Sequence, residues 1–283
     1  MYRLGVVSFL NARPLIAGLD ESADEAAVLY DVPARLPEWL ASGRLDAALV
    51  PIIDVLRSGG GLKVVSDACI ACDGETMTVR VFSQVPPDRI ERLWTDGDSH
   101  TSVALADVLW RELYGRRLEL TPFDARHEDA AGHEAVLLIG DKVVDPARGK
   151  FAYEVDLGGA WRQHTGLPFV FAVWAAPVEM PEPQRAALGA LLAGWRDRGV
   201  ARAGRLAEAY AKPAGWPVEL ARRYLTRCLS YRLDARAVEG AEHFARLCVE
   251  LELVEPPAVI DWPAEVVSGR SAEHSDGGGQ VQT

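Results

Sequence analysis

Through the first two thirds of the chain apolar residues fall in short runs bounded by turn formers, and beyond Pro181 they recur at every third or fourth position. The runs at 4–7, 28–32, 46–50, 63–66, 77–82, 92–96 and 135–139 predict strands. Between them, Leu36, Trp39 and Leu40 share one face of a helical segment, residues 52–57 suggest another, and Leu105, Val108 and Leu109 mark a helix over 103–114. That alternation predicts an α/β fold with parallel strands joined by right-handed crossovers. A shorter run at 153–157 and a long apolar run at 169–174, entered through Thr165-Gly166-Leu167-Pro168, add two further strands. Leu188, Leu191, Leu192 and Trp195, then Ala241, Phe244, Ala245 and Cys248, keep helical spacing. Residues 266–283, rich in Ser, Gly and charge, predict a disordered tail.

Pro86-Pro87 separates two α/β blocks, so two lobes are expected. The first comprises 1–82 together with 173–265 and carries the carboxyl-terminal helices, and the second comprises 83–172. A cleft between them would be lined by Asn11, the 77–78 strand, the 99–102 turn and the 165–168 turn.

The opening stretch shows where chemistry could sit. Its apolar run stops at Ser8, and Asn11 with Pro14 three residues later predicts a helix capped by the Asn side chain at the carboxyl end of a strand. Open α/β sheets bind ligands there, and helix amino termini attract anions. Arg13 shares the turn. Ser99, Thr101 and Ser102 crowd a second helix start, and Gly140-Asp141 closes another strand. Each has a plainer reading too: a capped turn, a Ser cap, an Asp holding the next turn, an Arg paired with a surface acid. His100 is read as a solvent-facing residue at a helix start.

Composition narrows the partners. The chain has 283 residues, 49% hydrophobic, enough for one large domain or two ordinary ones. A formal charge of −11 without any Lys/Arg run argues against nucleic acid and anionic membranes. No apolar run approaches the ~20 residues that cross a bilayer. The start leads directly into a strand with no room for a leader, and four cysteines make no disulfide framework, so a cytoplasmic protein is expected. Cys69-x-x-Cys72 has redox spacing but no supporting context, and Gly59-Gly60-Gly61 lacks the Lys-Ser/Thr of a phosphate loop.

Five motifs in order identify a resemblance that runs to about residue 254. They are Val-Ser-Phe-Leu-Asn-Ala-Arg-Pro-Leu at 7–15, Asp-Ala-Ala-Leu-Val-Pro-Ile at 46–52, Ser-His-Thr-Ser at 99–102, Leu-Leu-Ile-Gly-Asp at 137–141, and Thr-Gly-Leu-Pro-Phe-Val-Phe-Ala-Val-Trp at 165–174. Together they resemble the chorismate dehydratase family of the futalosine route to menaquinone. The resemblance implies a two-lobed, periplasmic-binding-protein-like type II fold with a central ligand cleft. It also implies elimination of water from chorismate to give 3-[(1-carboxyvinyl)oxy]benzoate, with no cofactor and no metal. Where the family often has Gly-Pro-Val-x-Ser-Val, this chain has Gly74-Glu75-Thr76-Met77-Thr78-Val79, keeping a hydroxyl at Thr78.

The substrate implied is a small dicarboxylate, which calls for two anion cradles. Asn11 is the expected catalytic residue, and Ser8, Arg13, Thr78, Ser99, Thr101, Ser102, Asp141, Thr165 and Gly166 are the expected substrate contacts. None of the six histidines lies in a nucleophile or metal motif, so a substrate carboxylate is the expected base, with Asn11 positioning it or helping the hydroxyl leave and Asp141 as an alternative acid or base. Two other readings stay open: a solute-binding protein that closes on small anions without turnover, and the related 1,4-dihydroxy-6-naphthoate synthase. The sequence sets no oligomeric state.

Overall fold

The computed structural model describes residues 1–19, 24–125, 127–145 and 149–266. The chain opens with β1 (Tyr2–Val7), β2 (Ala26–Asp31), α1 (Leu36–Ala41), β3 (Ala47–Pro51), α2 (Ile52–Arg57) and β4 (Leu62–Cys72). It continues through β5 (Val79–Ser83), β6 (Arg92–Asp96), α3 (His100–Tyr114), β7 (Glu119–Phe123), β8 (Ala135–Ile139), β9 (Tyr153–Asp156) and α4 (Leu157–Thr165). The last part is β10 (Phe169–Pro177), α5 (Glu182–Ala201), α6 (Ala203–Tyr210), α7 (Val218–Arg223), β11 (Ser230–Arg232) and α8 (Ala235–Glu250).

Two sheets result. The first has the order β11-β4-β10-β3-β1-β2 and the second β7-β6-β8-β5-β9. In the first, β1 pairs in parallel with β2 and β3, as the alternating pattern predicts. The sheet is nonetheless mixed, because β10 returns antiparallel between β3 and β4. The 63–66 run is only part of β4; Ser66 and Asp67 interrupt the apolar texture, yet the ladder continues to Cys72. The 77–82 run, placed in the first lobe from sequence, forms β5 in the second sheet, between β8 and β9. Sheet membership therefore changes at 73–78 and again at 157–168, ahead of the breaks expected at Ser83 and Val173. Pro86-Pro87 is only a turn inside the second unit. The weakly patterned β7 gave no apolar signal, since only Phe123 of its five residues is buried.

Burial follows these layers. Trp110, Trp161, Trp174 and Trp195 are fully buried and Trp216 and Trp262 join them, so six of the eight tryptophans are core. α5 crosses behind the first sheet and meets the opening turn: a Cβ at Gly199 would lie 1.8 Å from the Pro14 carbonyl oxygen, so only glycine admits this approach. Cys69 and Cys72 are interior β4 residues whose thiols burial pushes far up from their ordinary value, which removes them from redox chemistry. Val266, where a disordered tail was expected to start, is buried in the core; residues 267–283 lie outside the described residues. Among the described residues no helix is long and apolar enough to cross a membrane.

Candidate functional site

The two sheets face each other across a narrow cavity of about 60 Å³. Small-molecule sites usually offer roughly 300–1,000 Å³, so this cavity is narrow for a ring-sized ligand. Its apolar walls include Val7, Phe9, Ile70, Ile139, Phe171 and Leu229, and its polar groups are Asn11, Thr76, Thr78, Ser99, Ser102 and Tyr224. Among the described residues, no ionisable acid or base other than the Tyr224 phenol lines it.

The opening motif contributes Asn11, but by a different local structure from the one predicted. Residues Leu10–Ile16 form a 3₁₀ helix whose amino cap is Phe9, with no capping side chain. Asn11 thus lies inside the first turn, which frees its amide from capping. Its Oδ1 is buried and accepts no hydrogen bond from the protein. Phe9 packs over Gly140 from the other unit; Gly140 has φ +61° and a Cβ there would stand 3.0 Å from the Phe9 ring. Glycine meets both constraints at that contact.

Ser99 and Ser102 enter from the start of α3. Ser99 caps the helix by accepting the Ser102 N–H at 3.3 Å, and the two hydroxyls lie 2.9 Å apart. The helix begins three residues earlier than its apolar face implies, because the cap and not the apolar stripe sets the boundary. Thr101 points elsewhere: its hydroxyl donates to the Phe171 carbonyl at 3.2 Å and accepts from the Ile53 N–H at 3.4 Å, tying α3 to α2 and β10. His100 is not simply solvent-facing, since its Nδ1 sits 2.9 Å from the Asp54 carboxylate.

Thr78 is reached by the crossing segment between β4 and β5. Just before it, Met77 adopts φ +69°, a left-handed conformation that costs a non-glycine residue ~1–2 kcal/mol. The Asp156 carboxylate holds the segment, accepting the N–H groups of Thr76 at 2.9 Å, Met77 at 2.7 Å and Gly159 at 3.0 Å. Burial pushes that carboxyl up from its ordinary value while the three N–H groups pull it down. The Thr78 hydroxyl lies 2.6 Å from that of Tyr224.

Tyr224 is the principal residue that sequence reading missed. It starts a π-helical turn, Tyr224–Cys228, directly after α7 and stacks on Trp216 with ring centres 5.0 Å apart. A lone Tyr in helical texture gives no signal; only the π turn, which such sites often use, marks it. Thr76 was passed over as part of a divergent motif.

The remaining expected contacts do not reach the cavity. Ser8 is exposed at the end of β1. Arg13 turns outward, its guanidinium 4.4 Å from the Tyr210 ring centre and 5.6 Å from that of Tyr30. Asp141 accepts the Trp216 indole N–H at 2.9 Å, joining the end of β8 to the loop before α7; burial pushes its carboxyl up. Thr165 and Gly166 end α4: the Thr165 hydroxyl donates to the Trp161 carbonyl, and Gly166 is the left-handed cap. The apolar turn that follows made them look like cleft residues, but a helix end accounts for both.

The chain is similar to known proteins in sequence and in fold. The family model for menaquinone biosynthesis matches residues 2–250. A chorismate dehydratase of Thermus thermophilus is 31% identical over 261 residues, spanning 86% of this chain and 94% of that one. A crystal structure of an Archaeoglobus fulgidus protein superimposes with a TM-score of 0.73 at 12% identity, covering 89% of this chain and 98% of the other. The periplasmic aliphatic sulphonate binding protein of Escherichia coli superimposes at 0.63 with 15% identity, covering 92% and 95%. The fold is thus periplasmic-binding-protein-like.

Proposed function

We infer the reaction from a plain premise: the chain belongs to the menaquinone biosynthesis family. We propose that it is a chorismate dehydratase, a hydro-lyase that removes water from chorismate to give 3-[(1-carboxyvinyl)oxy]benzoate. A cytoplasmic setting is part of this reading, supported by four unpaired buried thiols.

The observation that carries the chemistry is the cavity lining: an amide and several hydroxyls on apolar walls, with no carboxylate or imidazole lining it among the described residues. Elimination from chorismate forms an aromatic ring, so much of the driving force lies in the substrate. The protein's task is then to orient the ring and its two carboxylates in a dry site. The α3 start with Ser99 and Ser102 suits one carboxylate, using the helix amino terminus and neutral hydroxyls despite the overall charge of −11. A carboxylate of the substrate takes the proton from the neighbouring ring carbon, and Asn11 holds the reacting groups in register. The two sheets with their helices act as lobes that part to admit the substrate.

Incubating the purified protein with chorismate and following the ultraviolet spectrum and product mass tests the reading. Loss of the diene absorption with a product lighter by one water is the expected result. Chorismate that binds and persists would favour a binding protein of this fold, and chorismate that fails to bind would overturn the substrate assignment.

A further inference from the structure

Three side chains from distant parts of the chain meet in the cavity wall: Asn11 from the opening turn, Thr78 from the crossing segment, and Tyr224 from the π turn. Their hydrogen bonds can be counted. Tyr224 and Thr78 each carry one hydroxyl proton, and the 2.6 Å contact between their oxygens uses one of the two. Whichever hydroxyl donates, the other keeps a proton to give. Asn11 Oδ1, buried beside them, accepts nothing from the protein. The cluster therefore presents an unfilled acceptor, Asn11 Oδ1, beside a spare hydroxyl proton and the Asn11 amide N–H groups.

That pairing selects among the polar groups of the substrate. A carboxylate only accepts and would leave the Asn11 oxygen unpaired and repelled. An alcohol both donates and accepts, and satisfies both. On the dehydratase reading, the alcohol is the ring hydroxyl that leaves as water. We propose that Tyr224 is a positioning residue for the departing hydroxyl, fixing Thr78 and Asn11 so that together they present a donor and an acceptor to it. The carboxylates are left to the α3 start and other donors.

Tyr224 is suited to this. It is 1% exposed, its ring is locked by stacking on Trp216, and burial raises its phenol well above the ordinary value, so the O–H stays protonated. The Asn11 and Thr78 side chains act on it in the opposite direction, which places both next to its oxygen.

The product provides the discriminating test, because it keeps both carboxylates and lacks the ring hydroxyl. Tyr224→Phe removes one oxygen and keeps the stacked ring. The expected outcome is a fall in kcat on the order of 10- to 100-fold, with inhibition by the product unchanged within about twofold. Thr78→Val, which also removes a hydroxyl at constant shape, is expected to behave alike, and Thr78→Ser to restore turnover. Full turnover in both Tyr224→Phe and Thr78→Val would overturn the proposal while leaving the dehydratase reading intact. So would equal weakening of substrate and product, which would place the cluster on a carboxylate. Should Tyr224→Phe fail to fold, Thr78→Val and Thr78→Ser decide alone. If the unaltered protein leaves chorismate unchanged, the dehydratase reading itself fails.

Discussion

The two polar groups in the cavity lining are built in opposite ways. In one, Ser99 and Ser102 belong to a single helix start, three residues apart, and bond each other and the backbone. In the other, Asn11, Thr78 and Tyr224 come from segments up to 213 positions apart and depend on the packing of both units. A helix start is a set of donors fixed by local geometry, suited to permanent negative charge. A cluster of mixed donors and acceptors discriminates among groups, because a wrong partner leaves a buried polar atom unpaired. On the proposed reading, binding strength belongs to the first and chemical discrimination to the second.

Asn11→Ala should break the second group most completely. Turnover is expected to fall by ~100-fold or more, with chorismate affinity changed far less, as steady-state kinetics and equilibrium binding would show. A variant that kept its turnover would remove Asn11 from the chemistry. Ser99→Ala attacks the first group, and the expected effect is uniform: substrate and product both bind about tenfold more weakly with little change in kcat. Loss of the cap also lowers stability by ~1 kcal/mol, measurable by denaturant titration.

Asp141→Asn gives the smallest effect. Burial raises this carboxyl in the folded protein, so the folded state holds its proton more tightly than the unfolded chain, where the ordinary value is 3.8. Stability from that protonation is present below pH 3.8 and is lost as pH rises through the elevated folded value. Asn keeps an acceptor for Trp216 and cannot ionise, so the variant's melting temperature should flatten over that rise, gaining no more than ~2 °C near neutrality. A variant that melted far lower would show that the charge itself holds the Trp216 loop that backs Tyr224.

What was legible in the sequence follows the same division. The Ser99 to Ser102 turn could be read because cap, helix face and site share one short window. Asn11 could be located, but its 3₁₀ setting could not, since Leu10 and Phe9 look like any strand end. Tyr224 was invisible: it becomes a site residue only when α7 ends in a π turn and the opening turn folds against it. Arg13, Thr165 and Gly166 misled for the converse reason. Each lies beside residues whose pattern does mark the cleft, yet its own side chain or carbonyl is used by the nearest ring or helix end. The mixed first sheet was equally hidden, because an apolar run such as 169–174 carries no sign of its direction.

The Met77 backbone, held in a left-handed conformation by a carboxylate from the far side of the crossing, has one more consequence. The segment that carries it is both the passage from one sheet to the other and part of the cavity wall, so the joint and the working surface are one piece of chain. Rotating one half of the molecule against the other would turn the Thr78 hydroxyl like a key on its shaft. Opening for entry would then take apart the cluster around Thr78, and shutting would assemble it.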